Sequence, residues 1–381
     1  MIRRFAVTAI FLGPFTLALF AQAPGPDANA SSGPAAWVYV SGQIGGASSK
    51  AEVHAYRAAA NGKLTSLAGF PFAANVSNMA VNGKYLFGAS NDSTFIDSYA
   101  IESNGGLHYV AQTNTQAVNG CDSEPGSIVL DHTGASLYSF DDSGDAICSN
   151  NVYQAYSVTK SSGALKYLND AGGDEELAGP LTFSSNNQYA YTSDCYHFTA
   201  QISGFKRSST GALTALPYNL PFPSGGWCPY LAAADPAMHL AVPMYPCNEY
   251  GCSGTYQLAT YTIASDGNLS TTSTPATMPK ISVGLLALNM APSGKLLAVA
   301  GVGGLQVFHF NGAAPATKYT GLLTSGEVDE IAWDNSNHLY AIGTAANKLW
   351  VFTVTPSSYS LAAQYTVNRP MGIAVLPPPL P

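Results

Sequence analysis

The chain has 381 residues and a formal net charge of −8, and only 10% of its residues are charged. Glycine (37), proline (24) and tyrosine (22) are abundant, a composition that favours many short strands joined by tight turns over long helices. The acidic residues are concentrated between positions 92 and 194, where fourteen carboxylates face only two lysines. A field of this sign repels polyanions, so we expect no nucleic-acid partner.

The first predicted element is a secretory signal peptide over residues 1–23. Arginines at positions 3 and 4 precede an apolar run over residues 5–21, and AQA at 21–23 offers small residues to signal peptidase. Pro24 disfavours a cut directly before it, which leaves cleavage after Ala21 or after Ala30 as alternatives. The run contains Gly13-Pro14 and is slightly short for a membrane span, so an uncleaved anchor is the lesser alternative. We expect a secreted or periplasmic protein with no stable membrane insertion after cleavage, and a flexible linker over residues 24–36.

Most of the remaining chain repeats a two-strand pattern. Each copy has a short apolar strand, a turn rich in Asp, Asn, Ser, Pro and Gly, and a second strand that ends in a small or polar residue. The copies are NMAVNGKYLFGAS, GSIVLDHTGASLYSF, GPLTFSSNNQYAYTS, PYLAAADPAMHLAVP, LLALNMAPSGKLLAVA and DEIAWDNSNHLYAIG. An alternating third strand follows each copy, and in most copies a weaker fourth strand follows a Gly or Ser, as in IDSYAIES and GGLHYVA. Four strands per repeat predict the blades of a β-propeller.

The spacing and the chain ends predict the number of blades. Equivalent second-strand positions recur about every 50 residues, the scale of blade-type repeats; they are Phe87, Tyr138, Tyr191, Ala241, Ala298 and Tyr340. Tyr39 lies one interval earlier in a unit without a first strand, and residues 369–377 (RPMGIAVLP) match a first strand with nothing after it. Pairing these ends removes two unpaired strand edges. We predict an all-β fold, a seven-bladed propeller of four-stranded blades over residues 37–376, closed in a 3+1 manner and followed by a Pro-rich tail at 377–381.

The repeat resembles that of a known family. The pattern P-x-x-ϕ-x-ϕ (ϕ apolar), then a turn such as DPAMH or APSGK, then LxV or LYA, is similar to lactonase-type propellers, which include 6-phosphogluconolactonase-like proteins and their YVTN surface-layer relatives. The resemblance covers nearly the whole mature chain and implies the propeller fold. It also implies lactone hydrolysis by His, Glu and Arg near the central channel. The matching positions here read EPGS, AGPL, WCPYL and NRPMG and contain no His, which argues against 6-phosphogluconolactonase activity.

Residues just before each first strand should ring the channel at one face of the propeller, which we call the top face. Glu124, Glu176, Glu330 and Arg369 occupy such positions and are the candidate catalytic residues. In the resembling family, residues of these types bind a lactone and move protons. Whether this chain is an enzyme stays open on the sequence alone.

Six cysteines in an exported chain predict disulfides. Their positions in the repeat place all of them in top-face loops, which favours three sequential pairs; these are Cys121–Cys148, Cys195–Cys228 and Cys247–Cys252. No His lies at ligand spacing from these cysteines, and the acidic run FDDSGD lacks the spacing of a calcium loop. We therefore expect neither a metal site nor a cofactor.

Aromatic side chains accompany the cysteines in the same loops. The candidate ligand-binding residues are Tyr196, His197, Trp227, Tyr230 and Tyr245. Aromatic loops stiffened by disulfides can stack on a sugar ring or hold a peptide at little ordering cost, and simple loop packing is the alternative.

Three functions are compatible with these features. We favour a monomeric binding or interaction module whose top face takes a carbohydrate, a small lactone or a peptide. The alternative is a lactone hydrolase that uses the channel-mouth Glu and Arg residues, and a structural surface protein is a third hypothesis.

Overall fold

The structure, a computed structural model, describes residues 33–43, 51–90, 92–118, 120–141, 151–172, 178–196, 199–217, 222–248 and 250–377. The predicted signal peptide, most of the predicted linker and most of the Pro-rich tail lie outside these ranges. The described residues form strands and turns only. None of them forms a helix long and apolar enough to cross a membrane.

The strands are short, as expected for segments bounded by Gly, Asn, Asp and Pro. In chain order they are β1 (Ala36–Gln43), β2 (Ala51–Ala58), β3 (Leu64–Ser66), β4 (Phe72–Ala73), β5 (Asn78–Val81), β6 (Tyr85–Ala89), β7 (Phe95–Ile101), β8 (Leu107–Asn114), β9 (Pro125–Leu130), β10 (Ser136–Asp141), β11 (Val152–Val158), β12 (Leu165–Gly172), β13 (Ala178–Phe183), β14 (Tyr189–Tyr196), β15 (Thr199–Arg207), β16 (Leu213–Ala215), β17 (Trp227–Pro229), β18 (Ala233–Ala234), β19 (His239–Asn248), β20 (Gly251–Cys252), β21 (Gln257–Ile263), β22 (Leu269–Ser270), β23 (Leu285–Met290), β24 (Leu296–Gly301), β25 (Gly304–Asn311), β26 (Ala314–Lys318), β27 (Glu330–Trp333), β28 (His338–Gly343), β29 (Lys348–Thr355), β30 (Ser358–Thr366) and β31 (Gly372–Leu376).

These strands form seven antiparallel sheets, the blades of a propeller. Blade 1 is β5–β8, blade 2 is β9–β12, blade 3 is β13–β16, blade 4 is β17–β22, blade 5 is β23–β26, blade 6 is β27–β30, and blade 7 combines β31 with β1–β4. The innermost strands neighbour one another around the ring in the order β5, β9, β13, β18, β23, β27 and β31, and β31 contacts β5 again. The predicted seven-bladed fold is confirmed.

The ring closes through the two ends of the sheet-forming chain. β31 pairs antiparallel with β1, from Trp37 opposite Leu376 to Ser41 opposite Gly372. β31 is thus the innermost strand of blade 7, and β1, β2 and β3 supply the other three strands. The 3+1 closure predicted from the unmatched segments is therefore present.

Blade 4 departs from the predicted repeat. Its first strand begins at Trp227 instead of Pro229, and it is interrupted between β17 and β18, where Leu231 has a φ of 62°. Both pieces pair with β19, which continues into a short hairpin with β20. The interruption leaves Tyr230 between the two pieces of the inner strand.

The core lies between neighbouring blades. Every second-strand position aligned from the sequence is fully buried; these residues are Tyr39, Phe87, Tyr138, Tyr191, Ala241, Ala298 and Tyr340. One apolar cluster, for example, joins Val38 and Val40 of blade 7 to Ile342 and Leu349 of blade 6. Each blade therefore packs one face against the preceding blade of the ring and the other face against the following blade.

The histidines of the repeat turns have structural roles. Asp334 accepts hydrogen bonds from the backbone N–H groups of Ser336 and His338 at 2.8 and 2.9 Å, and its second oxygen lies 2.7 Å from His338 Nδ1. Asp235 holds the amide and the ring of His239 in the same way. The D-x-x-x-H spacing in these copies thus fixes the turn between first and second strands.

A glycine contact recurs between adjacent blades. In six blades, the turn between the third and fourth strands contains a glycine with positive φ. A β-carbon added at this glycine would lie 2.2 to 3.0 Å from a side-chain atom near the start of the neighbouring blade's second strand. The pairs are Gly62 and His338, Gly105 and Trp37, Gly163 and Tyr85, Gly211 and Ser136, Gly267 and Tyr189, and Gly312 and His239.

Tyrosine hydroxyls bind several of the same turns. Tyr191 donates to the carbonyl of Gly267 at 2.8 Å, and Tyr138 donates to that of Gly211 at 2.8 Å. Only a residue without a side chain permits both the backbone conformation and the close approach. In these six blades the glycine that follows the third strand is therefore an inter-blade contact as well as a turn residue.

Substitution of Gly267 tests this contact. Gly267→Ala places a methyl group 2.5 Å from the Tyr189 ring at a φ of 89°, so we expect a loss of about 2–4 kcal/mol in the free energy of unfolding. Gly83→Ala is the matched control, because Gly83 has a φ of 88° but no described atom within 4 Å of the new carbon; it should cost about 1 kcal/mol. Urea denaturation compares the two variants. Equal losses would contradict the inter-blade role.

Candidate functional site

A pocket opens on the top face where blades 6 and 7 meet. Its volume is about 430 Å³, and we call it the seam pocket. It is lined by Glu327, Asp329, Thr344, Ala345, Asn347 and Arg369. These residues come from the segment before β27, the loop between β28 and β29, and the segment before β31. The repeat places all three segments on one face, because they precede first strands or link second to third strands.

Side-chain to backbone hydrogen bonds join the three segments. The Thr344 amide donates to Asp329 Oδ2 at 2.7 Å, and the Thr344 hydroxyl donates to the carbonyl of Pro370 at 2.6 Å. The amide of Arg369 donates to Asn347 Oδ1 at 2.7 Å. Arg369 and Asn347 both have positive φ, of 41° and 53°, conformations that non-glycine residues adopt at a cost. The walls of the pocket are therefore set by the fold before any ligand arrives.

The charges in the pocket are mixed. The carboxylates of Glu327 and Asp329 share it with the guanidinium of Arg369, which is an exposed residue. Within the described part of the chain, the Arg369 side chain makes no ion pair shorter than 4.0 Å. Its forked donors are thus available to a carbonyl or hydroxyl oxygen of a ligand.

Glu330 lies beside this pocket on the channel side. It is the first residue of β27, directly after Asp329, and its Oε2 accepts a hydrogen bond of 2.6 Å from the amide of Ile373 in β31. The side chain is half-buried between the inner strands of blades 6 and 7. Burial raises the pKa of Glu330 from 4.5 to about 8; the nearby Asp329 carboxylate acts in the same direction, and the Ile373 N–H opposes them.

The structure places two of the four candidate catalytic residues at the seam between blades 6 and 7. Arg369 lines the seam pocket, and Glu330 is anchored to the strand that follows Arg369. Glu124 is exposed directly before β9 of blade 2 and does not line this pocket. Glu176 lies outside the described residues.

A second feature of the top face is a group of tyrosines on blade 4. The rings of Tyr245 and Tyr256 stack at 4.5 Å between centroids with an interplanar angle of 18°, and Tyr230 lies 6.2 Å from Tyr256. Tyr230 and Tyr250 are 42% and 87% exposed. Burial, followed by the neighbouring phenols Tyr230 and Tyr245, raises the pKa of Tyr256. We call Tyr230, Tyr245 and Tyr256 the tyrosine platform.

Trp227, another predicted ligand-binding residue, does not belong to this platform. Trp227 is only 8% exposed, packs in the core with Met244 and Met278, and donates its indole N–H to the carbonyl of Ser224 at 3.1 Å. The extended first strand of blade 4 thus packs Trp227 in the core, and a role for it in ligand binding stays a prediction. His197 and the side chain of Tyr196 lie outside the described residues.

Disulfides staple the loops of blades 3 and 4. Cys195 bonds to Cys228 with a Cα–Cα distance of 5.2 Å, and Cys247 bonds to Cys252 with a Cα–Cα distance of 3.9 Å. These are two of the three predicted pairs. Cys121 is also disulfide-bonded, and its predicted partner, Cys148, lies outside the described residues.

Sequence reasoning missed Asp329, Thr344, Asn347 and Tyr256. Asp329 directly precedes a candidate, and Thr344 and Asn347 belong to a second-to-third-strand loop that the repeat assigns to the top face. A search of that loop class for polar residues would have found them. The contacts of Thr344 with Pro370 and of Asn347 with Arg369 depend on backbone conformations that the sequence pattern does not specify.

The fold is that of the 6-phosphogluconolactonase-like β-propellers. No protein-family model matches the sequence, and no curated protein matches it. Among the solved structures that are similar in fold, three illustrate the likeness. The periplasmic gluconolactonase of Pseudomonas aeruginosa has a TM-score of 0.67 and 16% identity, covering 90% of this chain and 100% of that chain. A candidate 6-phosphogluconolactonase from Bacteroides uniformis has the same TM-score and identity over 90% and 99% of the two chains.

The third structure, a candidate 6-phosphogluconolactonase from Bacteroides fragilis, has a TM-score of 0.65 and 15% identity over 90% and 98% of the two chains. At these identities the similarity establishes the fold alone. Any shared activity has to be argued from the side chains of this chain.

The raised pKa of Glu330 predicts a pH-dependent cost in stability. Between about pH 4.5 and 8 the folded protein holds a proton on Glu330 that the unfolded chain has released, so the wild-type protein loses stability as the pH rises through this window. Glu330→Gln removes this loss and keeps an acceptor for the Ile373 amide. We expect the variant to gain on the order of 1–3 kcal/mol over wild type between pH 5 and pH 8.

Urea denaturation at the two pH values measures that gain. Glu102→Gln, an exposed carboxyl in the turn between β7 and β8, is the control and should show no change with pH relative to wild type. If Glu330→Gln behaves like the control, Glu330 titrates at an ordinary pKa.

Proposed function

We propose that this protein is an extracytoplasmic lactone hydrolase whose reaction centre is the seam pocket and the adjoining Glu330. One observation carries the proposal: an arginine free of ion pairs among the described residues and a carboxyl group with a pKa of about 8 lie at the same seam of the channel mouth. The named activities of the Pseudomonas and Bacteroides structures support it. Disulfides in the top-face loops support an oxidising compartment.

The pocket favours an uncharged sugar lactone over a phosphorylated one. Glu327 and Asp329 line it together with Arg369, so a dianionic phosphate would face two carboxylates for one guanidinium. The carboxylate oxygens of Glu327 and Asp329 can accept hydrogen bonds from the hydroxyls of a neutral ring.

The proposed reaction is hydrolysis of the lactone ester bond. The ionised carboxylate of Glu330 takes a proton from a water molecule, whose oxygen attacks the lactone carbonyl carbon. Arg369 donates hydrogen bonds to the carbonyl oxygen as it becomes negatively charged. The tetrahedral intermediate then breaks the ring carbon–oxygen bond, and the proton held by Glu330 passes to the leaving ring oxygen. The product is an open-chain hydroxy acid, and the carboxylate is regenerated.

Kinetics on a neutral aldonolactone test this proposal. After subtraction of spontaneous hydrolysis, kcat/KM should rise with pH to a plateau above about pH 8, because only the ionised form of Glu330 accepts the proton. Glu330→Gln should remove this pH dependence and most of the activity. Arg369→Lys keeps the positive charge but removes the paired N–H donors of the planar guanidinium. We therefore expect kcat to fall about 10–100-fold.

Two variants control for unspecific effects. Arg57→Lys makes the same substitution on β2, and Glu102→Gln removes a carboxyl far from the channel mouth; both should retain wild-type rates. The lactonase proposal fails if wild-type protein opens the lactone no faster than buffer does. It also fails if Arg369→Lys and Glu330→Gln are as active as the controls.

The tyrosine platform supports a second candidate function, binding of a carbohydrate or peptide without turnover. Stacked Tyr245 and Tyr256, with the exposed Tyr230 beside them, offer aromatic faces of the kind that pack on sugar rings. The disulfides on the same strands limit the entropy lost when a ligand binds. This candidate needs no catalytic group at the seam pocket.

Calorimetry with neutral oligosaccharides separates the candidates. If the platform is the binding site, Tyr230→Ala should weaken binding about tenfold, the effect of losing one aromatic contact. Tyr109→Ala removes a tyrosine of similar exposure from the outer strand β8 and should leave binding unchanged. Equal affinities for both variants would exclude the platform as the site.

A further inference from the structure

The two disulfides on blades 3 and 4 form one cluster of sulfur atoms. The Sγ atoms of Cys195, Cys228, Cys247 and Cys252 all lie within 4.8 Å of one another. They come from separate segments: the end of β14, the middle of β17, and the β19–β20 hairpin. The hairpin places Cys247 directly opposite Cys252. The fold therefore brings four cysteines from three segments to one point.

The dimensions of the cluster suit a tetrahedral metal ion. In a site of four thiolates, zinc–sulfur bonds of about 2.3 Å place the sulfur atoms about 3.8 Å apart. All the sulfur pairs are within 4.8 Å, and the two bonded pairs only need to separate to reach this distance. Small rotations of the cysteine side chains can produce such changes.

The surroundings favour a structural site over an open one. Cys228 is 9% exposed, and the other three cysteines are half-buried. Cys228 lies opposite the half-buried aromatic residue Tyr245 in the β17–β19 register. Four sulfur ligands fill the coordination shell of zinc and leave no position for a substrate.

We propose that these four cysteines bind one Zn²⁺ ion as a tetrathiolate when the protein is reduced, in place of the two disulfides. Reduction transfers four electrons and four protons from two equivalents of a dithiol, which becomes oxidised, and breaks both S–S bonds to give four thiols. Zinc binding then releases the four thiol protons. The sequence expectation of no metal site relied on the lack of histidines at ligand spacing, and a site of four cysteines does not need them.

The two states hold the same loops together. Two disulfides join Cys195 to Cys228 and Cys247 to Cys252, whereas one zinc ion would join all four residues at once. The tyrosine platform carried by these segments would stay ordered in either state. The inference is independent of the proposed hydrolase activity, since the seam pocket lies on blades 6 and 7.

Metal titration of the reduced full-length protein tests the site. The protein is reduced without oxygen by excess phosphine, and Co²⁺ is added as a spectroscopic probe. We expect saturation at one equivalent, with the visible bands of tetrahedral Co²⁺ and thiolate-to-cobalt charge transfer, and loss of both signals on addition of one equivalent of Zn²⁺. Reduced Cys195→Ser with Cys252→Ser should show neither signal at one equivalent. The control, Cys121→Ser with Cys148→Ser, should behave as wild type.

Thermal denaturation distinguishes a native site from binding by unfolded chain. A ligand of the folded state raises the melting temperature, whereas a metal bound by unfolded thiols does not. Equimolar Zn²⁺ should therefore raise the melting temperature of the reduced protein and leave that of the oxidised protein unchanged. The proposal is overturned if zinc fails to stabilise the reduced protein, or if the reduced variant with Cys195→Ser and Cys252→Ser gains as much stability from zinc as wild type does.

Discussion

The ring depends on the contact between the outer turn of one blade and the second strand of its neighbour. A glycine at this turn lets its backbone approach an aromatic, histidine or serine side chain to a distance that a β-carbon would forbid. In several blades a buried tyrosine hydroxyl also donates to the carbonyl of that glycine. The apolar faces of neighbouring blades can pack closely only when these turns contact the adjacent second strand. The glycine thus sets the distance between neighbouring sheets.

The channel mouth shows how this scaffold holds an electrostatically costly group. Glu330 lies between the inner strands of two blades, and one backbone N–H of β31 is its hydrogen-bond partner among the described residues. One hydrogen-bond donor stabilises the ionised carboxylate less than burial destabilises it. The carboxyl group therefore keeps its proton to a higher pH than usual. The rigid packing on both sides keeps the group there, since moving it would separate β27 from β31.

The sequence predicted the architecture well for a physical reason. Strand alternation, turns rich in Asp, Asn, Ser, Pro and Gly, and the glycine after the third strand of six blades are local signals that recur around the ring. The unmatched first strand at one end and the unmatched segment at the other end were enough to predict the closure. The break between β17 and β18 was not predictable, because it depends on a positive φ at Leu231, a residue without strong preference for that conformation. That break also explains why Trp227 is buried and why Tyr230 is exposed.

The candidate site was predicted only in part. Arg369 and Glu330 could be placed at the channel mouth from their positions in the repeat. The hydrogen bonds between Asp329 and Thr344 and between Asn347 and Arg369 depend on loop conformations. The blade repeat of the sequence does not specify these conformations. The same limit applies to the sulfur cluster, since the sequence suggested pairs of cysteines but did not indicate that two pairs share one point in space.

The placement of β31 has a consequence for the order of assembly. Arg369 and Pro370 immediately precede this strand, and the amide that anchors Glu330 belongs to it. A chain with six finished blades therefore has neither the arginine wall of the seam pocket nor the hydrogen bond that orients Glu330. The pocket forms only when β31 pairs with β1, so a molecule whose ring is open also lacks the site. Ligand binding would in turn hold the ring shut, and the seam would be the place where occupancy and mechanical integrity of the propeller are coupled.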